Sequence, residues 1–397
     1  MVRDWQDRFS PYGRSAGGAE TRAFLRLVGQ PGLISFAGGI PDSGLFPSAL
    51  IAEAHRKILD DPARAKTALQ YSVSEGYAPL RAWIASDMRE RGVACGIDNI
   101  LITNGSAQGL YLTGRLLLGE GDGVLTERPT YLGLLHAFAG STPSYGPLSA
   151  LKRAEGIDAK LAYVMPDFAN PTGESLSLSE REALLAGAYA HDVVLLEDAA
   201  YTKLRYRGAP MPSLMALDLQ RCGGIEQSRV IYSGTFSKTI VPGLRTGWVA
   251  AATAVIQKMG LLRQAIDFHT SPLTQMALTE VASRLPQSHI AMLCETYGAR
   301  LEAMLAALAV HMPPGVSWTK PEGGMFIWVT LPESIDAAAL LAEAIGAGVA
   351  FVPGAAFFPD NPRRNTLRLN FTACDLPAIQ QGIARLGQLI ARRPNAV

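Results

Sequence analysis

The chain has 397 residues, a hydrophobic content of 48%, and 36 basic against 35 acidic side chains. At this length and apolar content we expect two or three domains with large cores, and the balanced charge excludes a general attraction to nucleic acid or membranes. The N-terminus lacks a signal-peptide core, and no stretch approaches the roughly 20 apolar residues of a membrane span, so we predict a cytoplasmic protein. The four cysteines are scattered without metal-ligand spacing, which predicts reduced thiols and no metal site.

The first part of the chain, 1–44, is rich in glycine and shows few strand signals. We predict that it forms an arm and a helix, Ala19 to Val28, that pack near the site and across a dimer. Arg22 lies within this predicted helix. A charge facing solvent is the simplest interpretation of an arginine at such a position.

Strand and helix patterns alternate from about residue 100 to 275, which predicts a mainly parallel sheet covered by helices, with the site at the strand ends. We predict strands at 100–103, 123–126, 162–166, 193–198, 230–234 and 246–251. We predict helices at 106–118, 131–140 and 179–191. The last two strands are too close in sequence for a helical crossover, so we expect the last one, 246–251, to be antiparallel.

Two segments in this region place a helix start or an aromatic side chain soon after a strand end. Ser106 follows a glycine turn and is predicted to be an N-cap, at a helix start whose free amides and positive dipole end attract a phosphate. Tyr131 follows the next strand and is positioned to cover a cofactor ring. Capping alone explains many Gly-Ser pairs, and most aromatic residues belong to a core, so each segment is a weak signal by itself.

The next two predicted strands end in polar residues. Asn170 lies in an Asn-Pro-Thr-Gly sequence, which has strong turn chemistry and can aim its amide at a cofactor or a substrate carboxylate. Asp198 ends a run of buried-strand character, and Tyr201 follows three residues later. An ionised Asp198 can pair with a protonated pyridine nitrogen, and Tyr201 can donate to a phenolic oxygen. A helix cap or a solvated loop is the alternative for Asp198.

Lys238 is the most informative residue. It follows an apolar run and small hydroxyl residues, and Arg245 comes seven positions later. This arrangement suits a pyridoxal phosphate enzyme, in which a lysine amine joins the cofactor aldehyde while hydroxyls and a guanidinium hold the phosphate. Most lysines lie on the surface, but the apolar and small neighbours of Lys238 make that interpretation the weaker one.

The C-terminal part begins with a helix-rich bridge, 276–310, and two further strand regions, 316–330 and 349–371, predict a smaller α+β domain. Arg368 lies on a predicted strand in which apolar and polar residues alternate. Its planar fork of donors can clamp a carboxylate, although an arginine at such a position is more often a surface ion-pair partner.

In their order along the chain, these segments resemble the fold-type I pyridoxal phosphate aminotransferases of class I/II, nearest to the 2-aminoadipate (LysN-like) subgroup. The resemblance covers nearly the whole chain. It includes Gly38-Gly39-Ile40-Pro41, Gln70-Tyr71-Ser72, Pro321-Glu322-Gly323-Gly324 and Phe351-Val352-Pro353-Gly354. It implies an α/β protein, with a three-layer large domain built on a mainly parallel sheet and a smaller α+β domain. We divide the chain into an N-terminal arm with part of the small domain (1–44), a large cofactor-binding domain (45–280) and a small C-terminal domain (281–397).

The resemblance also implies a role for each matching residue. Lys238 would be the Schiff-base lysine, Asp198 the partner of the pyridine nitrogen, and Tyr201 a further catalytic residue. The remaining contacts to pyridoxal phosphate would come from Ser106, Ala107, Gln108, Tyr131, Asn170, Thr235, Ser237 and Arg245, with Tyr71 reaching the phosphate across a dimer. Substrate contacts would come from Arg368 to the α-carboxylate, from Asn170 and Gly39, and from Arg22 to an acidic side chain.

The implied activity is transfer of an amino group from an L-amino acid to a 2-oxo acid such as 2-oxoglutarate by a ping-pong mechanism, in a homodimer with shared active sites. Candidate donors are 2-aminoadipate, glutamate, and aromatic or branched-chain amino acids. A valine–pyruvate or alanine-type aminotransferase is one alternative. A ligand-sensing regulator domain is another, but too few residues precede the expected cofactor domain for a DNA-binding region. A pseudo-enzyme would lack the lysine or the aspartate, and both are present.

Overall fold

The computed structural model describes residues 5–10, 13–14, 27, 29–152 and 158–393. Most of the predicted helix from Ala19 to Val28, with Arg22, lies outside these residues. The described part contains thirteen strands and twelve α-helices. No helix in it is long and apolar enough to cross a membrane.

The strands are β1 (Ile34–Ser35), β2 (Ile100–Thr103), β3 (Gly123–Thr126), β4 (Ser144–Pro147), β5 (Leu161–Val164), β6 (Val194–Asp198), β7 (Val230–Thr235), β8 (Gly247–Ala250), β9 (Ser317–Trp318), β10 (Phe326–Thr330), β11 (Val349–Ala350), β12 (Val352–Pro353) and β13 (Thr366–Asn370). The helices are α1 (Ser48–Leu59), α2 (Pro62–Ala68), α3 (Ala78–Glu90), α4 (Ser106–Leu117), α5 (Leu132–Phe138), α6 (Leu178–Ala190), α7 (Leu214–Cys222), α8 (Thr253–Gln264), α9 (Pro272–Arg284), α10 (Gln287–His311), α11 (Ala337–Gly346) and α12 (Leu376–Ala391).

Seven strands form the central sheet, in the order β2-β8-β7-β6-β5-β3-β4. Five strands are parallel to one another, namely β7, β6, β5, β3 and β4. Strand β8 is antiparallel to both β7 and β2. The prediction of a mainly parallel sheet with an antiparallel strand near 246–251 is therefore confirmed. Successive residues alternate between the two faces of the sheet. Leu195 accordingly belongs to one hydrophobic cluster and Leu196 to the other, so apolar cores lie on both faces.

The sequence interpretation did not include strand β4, at the edge of this sheet. Its four residues, Ser-Tyr-Gly-Pro, have little strand propensity, and β4 pairs with β3 alone. Helices α7 and α8 were also not predicted. The start of α7 is fixed by a distant group, because the buried Glu197 carboxylate accepts from the amides of Leu214 (3.1 Å) and Met215 (2.9 Å).

The C-terminal part contains a four-stranded antiparallel sheet in the order β12-β13-β10-β9, with the long helix α10 packed on α12. The bridge predicted to be helix-rich consists of α9 and α10. Strand β1 pairs in parallel with β11, which ties an early segment of the chain to this part of the molecule. The boundaries 1–44, 45–280 and 281–397 stay a prediction.

Candidate active site

A cavity of about 290 Å³ lies at the C-terminal ends of β6 and β7, where a parallel sheet presents its binding groups. It is lined by Gly39, Ile40, Ser106, Ala107, Tyr131, Met165, Asn170, Asp198, Ala200, Tyr201, Thr235, Ser237, Lys238, Pro242, Arg245 and Arg368. The fold thus brings most of the predicted site residues together from segments far apart in sequence.

Lys238 follows β7 and is partly buried. Its Nζ donates to the Gly39 carbonyl at 2.8 Å and lies 5.9 Å from the centre of the Tyr201 ring. Burial, together with the positive charges of Arg368 and Arg245, lowers the pKa of Lys238 to about 8. Near neutral pH the amine therefore has a much larger uncharged fraction than a surface lysine. The uncharged form is the one that acts as a nucleophile or a base.

Asp198 is the last residue of β6 and is 1% exposed. Its Oδ2 accepts from the Tyr163 hydroxyl of the neighbouring strand at 2.9 Å, whereas its buried Oδ1 has no hydrogen-bond partner among the described residues. Burial raises the pKa of Asp198 to about 6. A buried carboxylate oxygen without a partner is destabilising, so Oδ1 is a ready acceptor for a ligand N–H.

Arg368, on β13, is a second buried charge with spare hydrogen-bonding capacity. Its Nη1 donates to Asn170 Oδ1 at 2.8 Å, and its Nη2 donates to the Ala37 carbonyl at 3.3 Å. Its Nε has no partner, and no carboxylate in the described part of the chain forms an ion pair with it. The guanidinium carbon lies 4.2 Å from the centre of the Phe326 ring. Burial lowers the pKa of Arg368 to about 10. Such a cation can be compensated by an anionic ligand.

A further group of lining residues carries donors for a phosphate. Ser106 and Ala107 lie in the first turn of α4, and that helix start has no side-chain cap. Thr235 and Ser237 lie side by side, with 2.9 Å between their hydroxyl oxygens, and Arg245 adds an exposed guanidinium. Amides at a helix start, hydroxyls and an arginine together suit a phosphate group.

The prediction that Ser106 is the N-cap was wrong by one position. Gly105 is the N-cap, with a φ of 81°, and Ser106 is the first helical residue. Positive φ strains any residue with a Cβ, and a Cβ at Gly105 would also lie only 2.6 Å from Arg245 Nη2. The glycine therefore lets the guanidinium approach the helix start closely.

Two tyrosines form further walls of the cavity. Tyr131 folds back over Gly133, where a Cβ would overlap its ring. Tyr201 is 4% exposed and packs edge-on against Phe326, with ring centres 5.7 Å apart. Burial raises the pKa of both tyrosine hydroxyls above the ordinary value, so both remain neutral donors at physiological pH.

Two predicted residues that the structure describes, Gln108 and Tyr71, do not line this cavity. The Gln108 side chain faces Asp267, to which its amide donates at 2.7 Å. Tyr71 is 81% exposed and contacts Phe268 and His269 instead. Arg22 lies outside the described residues.

Sequence reasoning missed Tyr163, the hydroxyl partner of Asp198, as well as the wall residues Ile40, Met165, Ala200 and Pro242. A phenol within an otherwise aliphatic strand was the available signal for Tyr163, because a buried hydroxyl needs a partner. Within the described residues, no group of three or more His, Cys, Asp or Glu side chains is arranged to hold a metal ion.

Comparison with known proteins identifies the family. The family model for class I and II aminotransferases matches residues 31–386. The aromatic-amino-acid aminotransferase 1 of Thermococcus litoralis is 39% identical, with 98% of this chain and 95% of the relative covered.

Two solved structures, each covering 98% of both chains, agree with this match. LysN, the alpha-aminoadipate aminotransferase of Thermus thermophilus, was solved with N-(5'-phosphopyridoxyl)-L-leucine and is 36% identical, with a TM-score of 0.89. The Pyrococcus horikoshii kynurenine aminotransferase was solved with PMP and is 39% identical, with a TM-score of 0.90. The chain therefore belongs to the class I and II aminotransferases, near LysN, and its cofactor is pyridoxal phosphate.

Proposed function

We propose that this aminotransferase moves the amino group of an L-amino acid to 2-oxoglutarate in a ping-pong cycle, with 2-aminoadipate, glutamate, aromatic or branched-chain donors. One observation carries the proposal. A single cavity holds a lysine with a lowered pKa, a buried carboxylate oxygen with no hydrogen-bond partner among the described residues, and a buried arginine that pairs with no carboxylate among them. These are the groups that amine exchange on an α-amino acid requires.

The residues present fit the cofactor. Asp198 Oδ1 would accept from the pyridine N–H, and the Lys238 amine would anchor the aldehyde. The phosphate would be held by Ser106, Ala107, Thr235, Ser237 and Arg245. The ring and its phenolic oxygen would be contacted by Tyr131, Asn170 and Tyr201. When bound, pyridoxal phosphate supplies an electron sink next to the substrate Cα.

The chain itself orients the substrate and moves a proton. Arg368 binds the α-carboxylate through its spare donors, and Asn170 fixes the plane of the guanidinium. Because Arg368 and Lys238 line the same cavity, a substrate held by Arg368 would present its Cα to the lysine amine. Its uncharged Nζ removes the Cα proton and holds it until the proton is returned. Tyr131 and Tyr201, which has Phe326 packed behind it, would exclude water from the reacting atoms and so strengthen each of these contacts.

A panel of amino donors with 2-oxoglutarate and with pyruvate tests this function. We expect acidic and aromatic donors to react with 2-oxoglutarate, with parallel lines in double-reciprocal plots, the kinetic signature of a ping-pong mechanism. Turnover confined to alanine or valine with pyruvate would favour the valine–pyruvate or alanine-type alternative. Absence of turnover with every pair would favour the ligand-sensing alternative.

Arg22 is proposed to bind the distal carboxylate of acidic substrates, as its sequence position in the LysN-like subgroup implies. A charge-assisted hydrogen bond contributes about 1.5–3 kcal/mol, so Arg22→Ala should lower kcat/KM for glutamate, 2-aminoadipate and 2-oxoglutarate by about 10- to 150-fold. Leucine and aromatic donors serve as internal controls and should change far less. Equal losses for both kinds of donor, or none for either, would place the distal contact elsewhere.

We also propose a symmetric homodimer with shared active sites. Tyr71, Leu69 and Phe268 form an exposed apolar patch, in which Tyr71 and Phe268 have ring centres 6.1 Å apart. Such a patch is typical of an interface rather than of free surface.

We expect light scattering to give the molar mass of a dimer for the wild type. Phe268→Glu should weaken the association and the activity together. Val310→Glu is the control, since Val310 is equally apolar and 75% exposed but lies in the last turn of α10. An active wild-type monomer would contradict the proposal.

A further inference from the structure

A second cavity, of about 300 Å³, lies back to back with the active-site cavity. Ala200 and Thr235 line both cavities. Its other walls come from α3, from the end of α9, from the start of α10 and from the residues that follow Lys238. The second cavity is as large as the first. Apart from the shared Thr235, the mechanism described above uses none of its polar side chains.

One wall of this second cavity is aromatic. The Phe236 ring lies between two indoles, with ring centres 5.8 Å from Trp83 and 5.0 Å from Trp248. Ala282 and Ile290 continue this surface with aliphatic groups. A wall of this composition binds apolar side chains, and aromatic ones in particular.

Charged groups of both signs stand beside the aromatic wall. Asp87 accepts from Lys203 Nζ at 2.6 Å and from Arg91 Nη2 at 2.8 Å. The Asp87 carboxylate thus pairs with two cations. The Lys203 ammonium has three N–H donors, so it retains donors that this contact does not use. Glu90, one helical turn from Asp87 on α3, lines the same cavity and takes part in no ion pair within the described residues.

The volume and the charges restrict the class of ligand. About 300 Å³ is the lower limit for small-molecule sites, so the cavity suits a small metabolite. Two cations share one carboxylate at Asp87, Glu90 adds a second carboxylate, and the Trp83 ring centre lies 5.8 Å from Lys203 Nζ. These groups match the three parts of an apolar amino acid. We propose that the second cavity binds a free L-amino acid with an aromatic or branched side chain, its carboxylate toward Lys203 and Arg91, its ammonium toward Glu90 and its side chain on the wall formed by Trp83 and Phe236.

Calorimetric titration of the holoenzyme with L-phenylalanine tests this proposal in an Arg368→Gln background, in which the active site lacks its carboxylate clamp. The holoenzyme is first reduced with borohydride, which fixes the cofactor to Lys238 so that the cofactor cannot react with the added amine. We expect one L-phenylalanine to bind per chain in that background. Adding Lys203→Met should weaken binding about 10-fold or more, the loss typical of a charge-assisted hydrogen bond. Adding Lys160→Met should have no effect, because Lys160 pairs with Asp122 at 2.7 Å outside both cavities.

One cavity-filling variant and two ligand analogues test the same binding event independently. Ala282→Phe fills the cavity without changing a charge, so it should abolish the same binding event. Analogues that lack either charge, 3-phenylpropionate and 2-phenylethylamine, should each bind more weakly than L-phenylalanine. No binding of millimolar L-phenylalanine to the Arg368→Gln enzyme would overturn the proposal. So would binding that survives both Lys203→Met and Ala282→Phe, or binding of 3-phenylpropionate as tight as that of the amino acid.

Discussion

Lys238→Ala is expected to abolish nearly all turnover, together with the visible absorption that arises when pyridoxal phosphate is joined to a lysine amine. The variant removes the nucleophile that anchors the aldehyde and also the base that moves the Cα proton, so two steps fail together. Both can be measured on one sample, by an absorption spectrum of the loaded protein and by a coupled assay for glutamate formation.

Lys258→Ala is the matched control, since Lys258 is an exposed lysine on α8, and it should keep the spectrum and the rate of the wild type. Supply of a small primary amine to Lys238→Ala should restore part of the rate, because a free amine can enter the space left by the side chain. Normal transamination by Lys238→Ala would rule out Lys238 as the base.

Asp198→Ala is expected to retain the cofactor but to lose most of its activity. The phosphate contacts at α4 and around Thr235 do not involve Asp198, whereas the pyridine nitrogen loses its only proposed charge partner. Removal of one member of a buried ion pair costs about 3–5 kcal/mol. At about 1.4 kcal/mol per decade, this corresponds to a loss of roughly two to four decades in kcat.

A substitution at Tyr163, the hydrogen-bond donor to Asp198, gives a milder version of this experiment. Tyr163→Phe removes the 2.9 Å hydrogen bond to Asp198 but leaves the carboxylate in place, so its loss of rate should be smaller than that of Asp198→Ala. Cofactor content, measured by absorbance after dialysis, separates weak loading from slow chemistry. Full activity in loaded Asp198→Ala would mean that another group stabilises the pyridine nitrogen.

The strand ends were the part of the site that local sequence could predict. Asp198 and Lys238 each follow an apolar run, and the carboxyl ends of neighbouring parallel strands must meet at one edge of a sheet. Both residues line the cavity for that reason. The predicted strand limits near them agree with β6 and β7 to within one residue.

Contacts that join distant segments could not be predicted in this way. The bond from Arg368 to Asn170 spans 198 positions, and the orientation of the Gln108 side chain depends on Asp267, which lies 159 positions away. Periodicity reports which face of an element is buried, but not which side chain lies opposite it. The exposure of Tyr71 has a different origin, since its proposed contact belongs to a second copy of the chain.

The segment between Ala37 and Gly39 joins the two charged groups of the site. Arg368 Nη2 donates to the carbonyl at one end of it, and Lys238 Nζ donates to the carbonyl at the other end. A substrate carboxylate that draws the guanidinium away from Ala37 would free one end of this segment, and the Lys238 amine would leave the other end when it joins the cofactor aldehyde. Cofactor loading and substrate binding would therefore release the segment from opposite ends, so its two hydrogen bonds to the site would be broken in sequence rather than together.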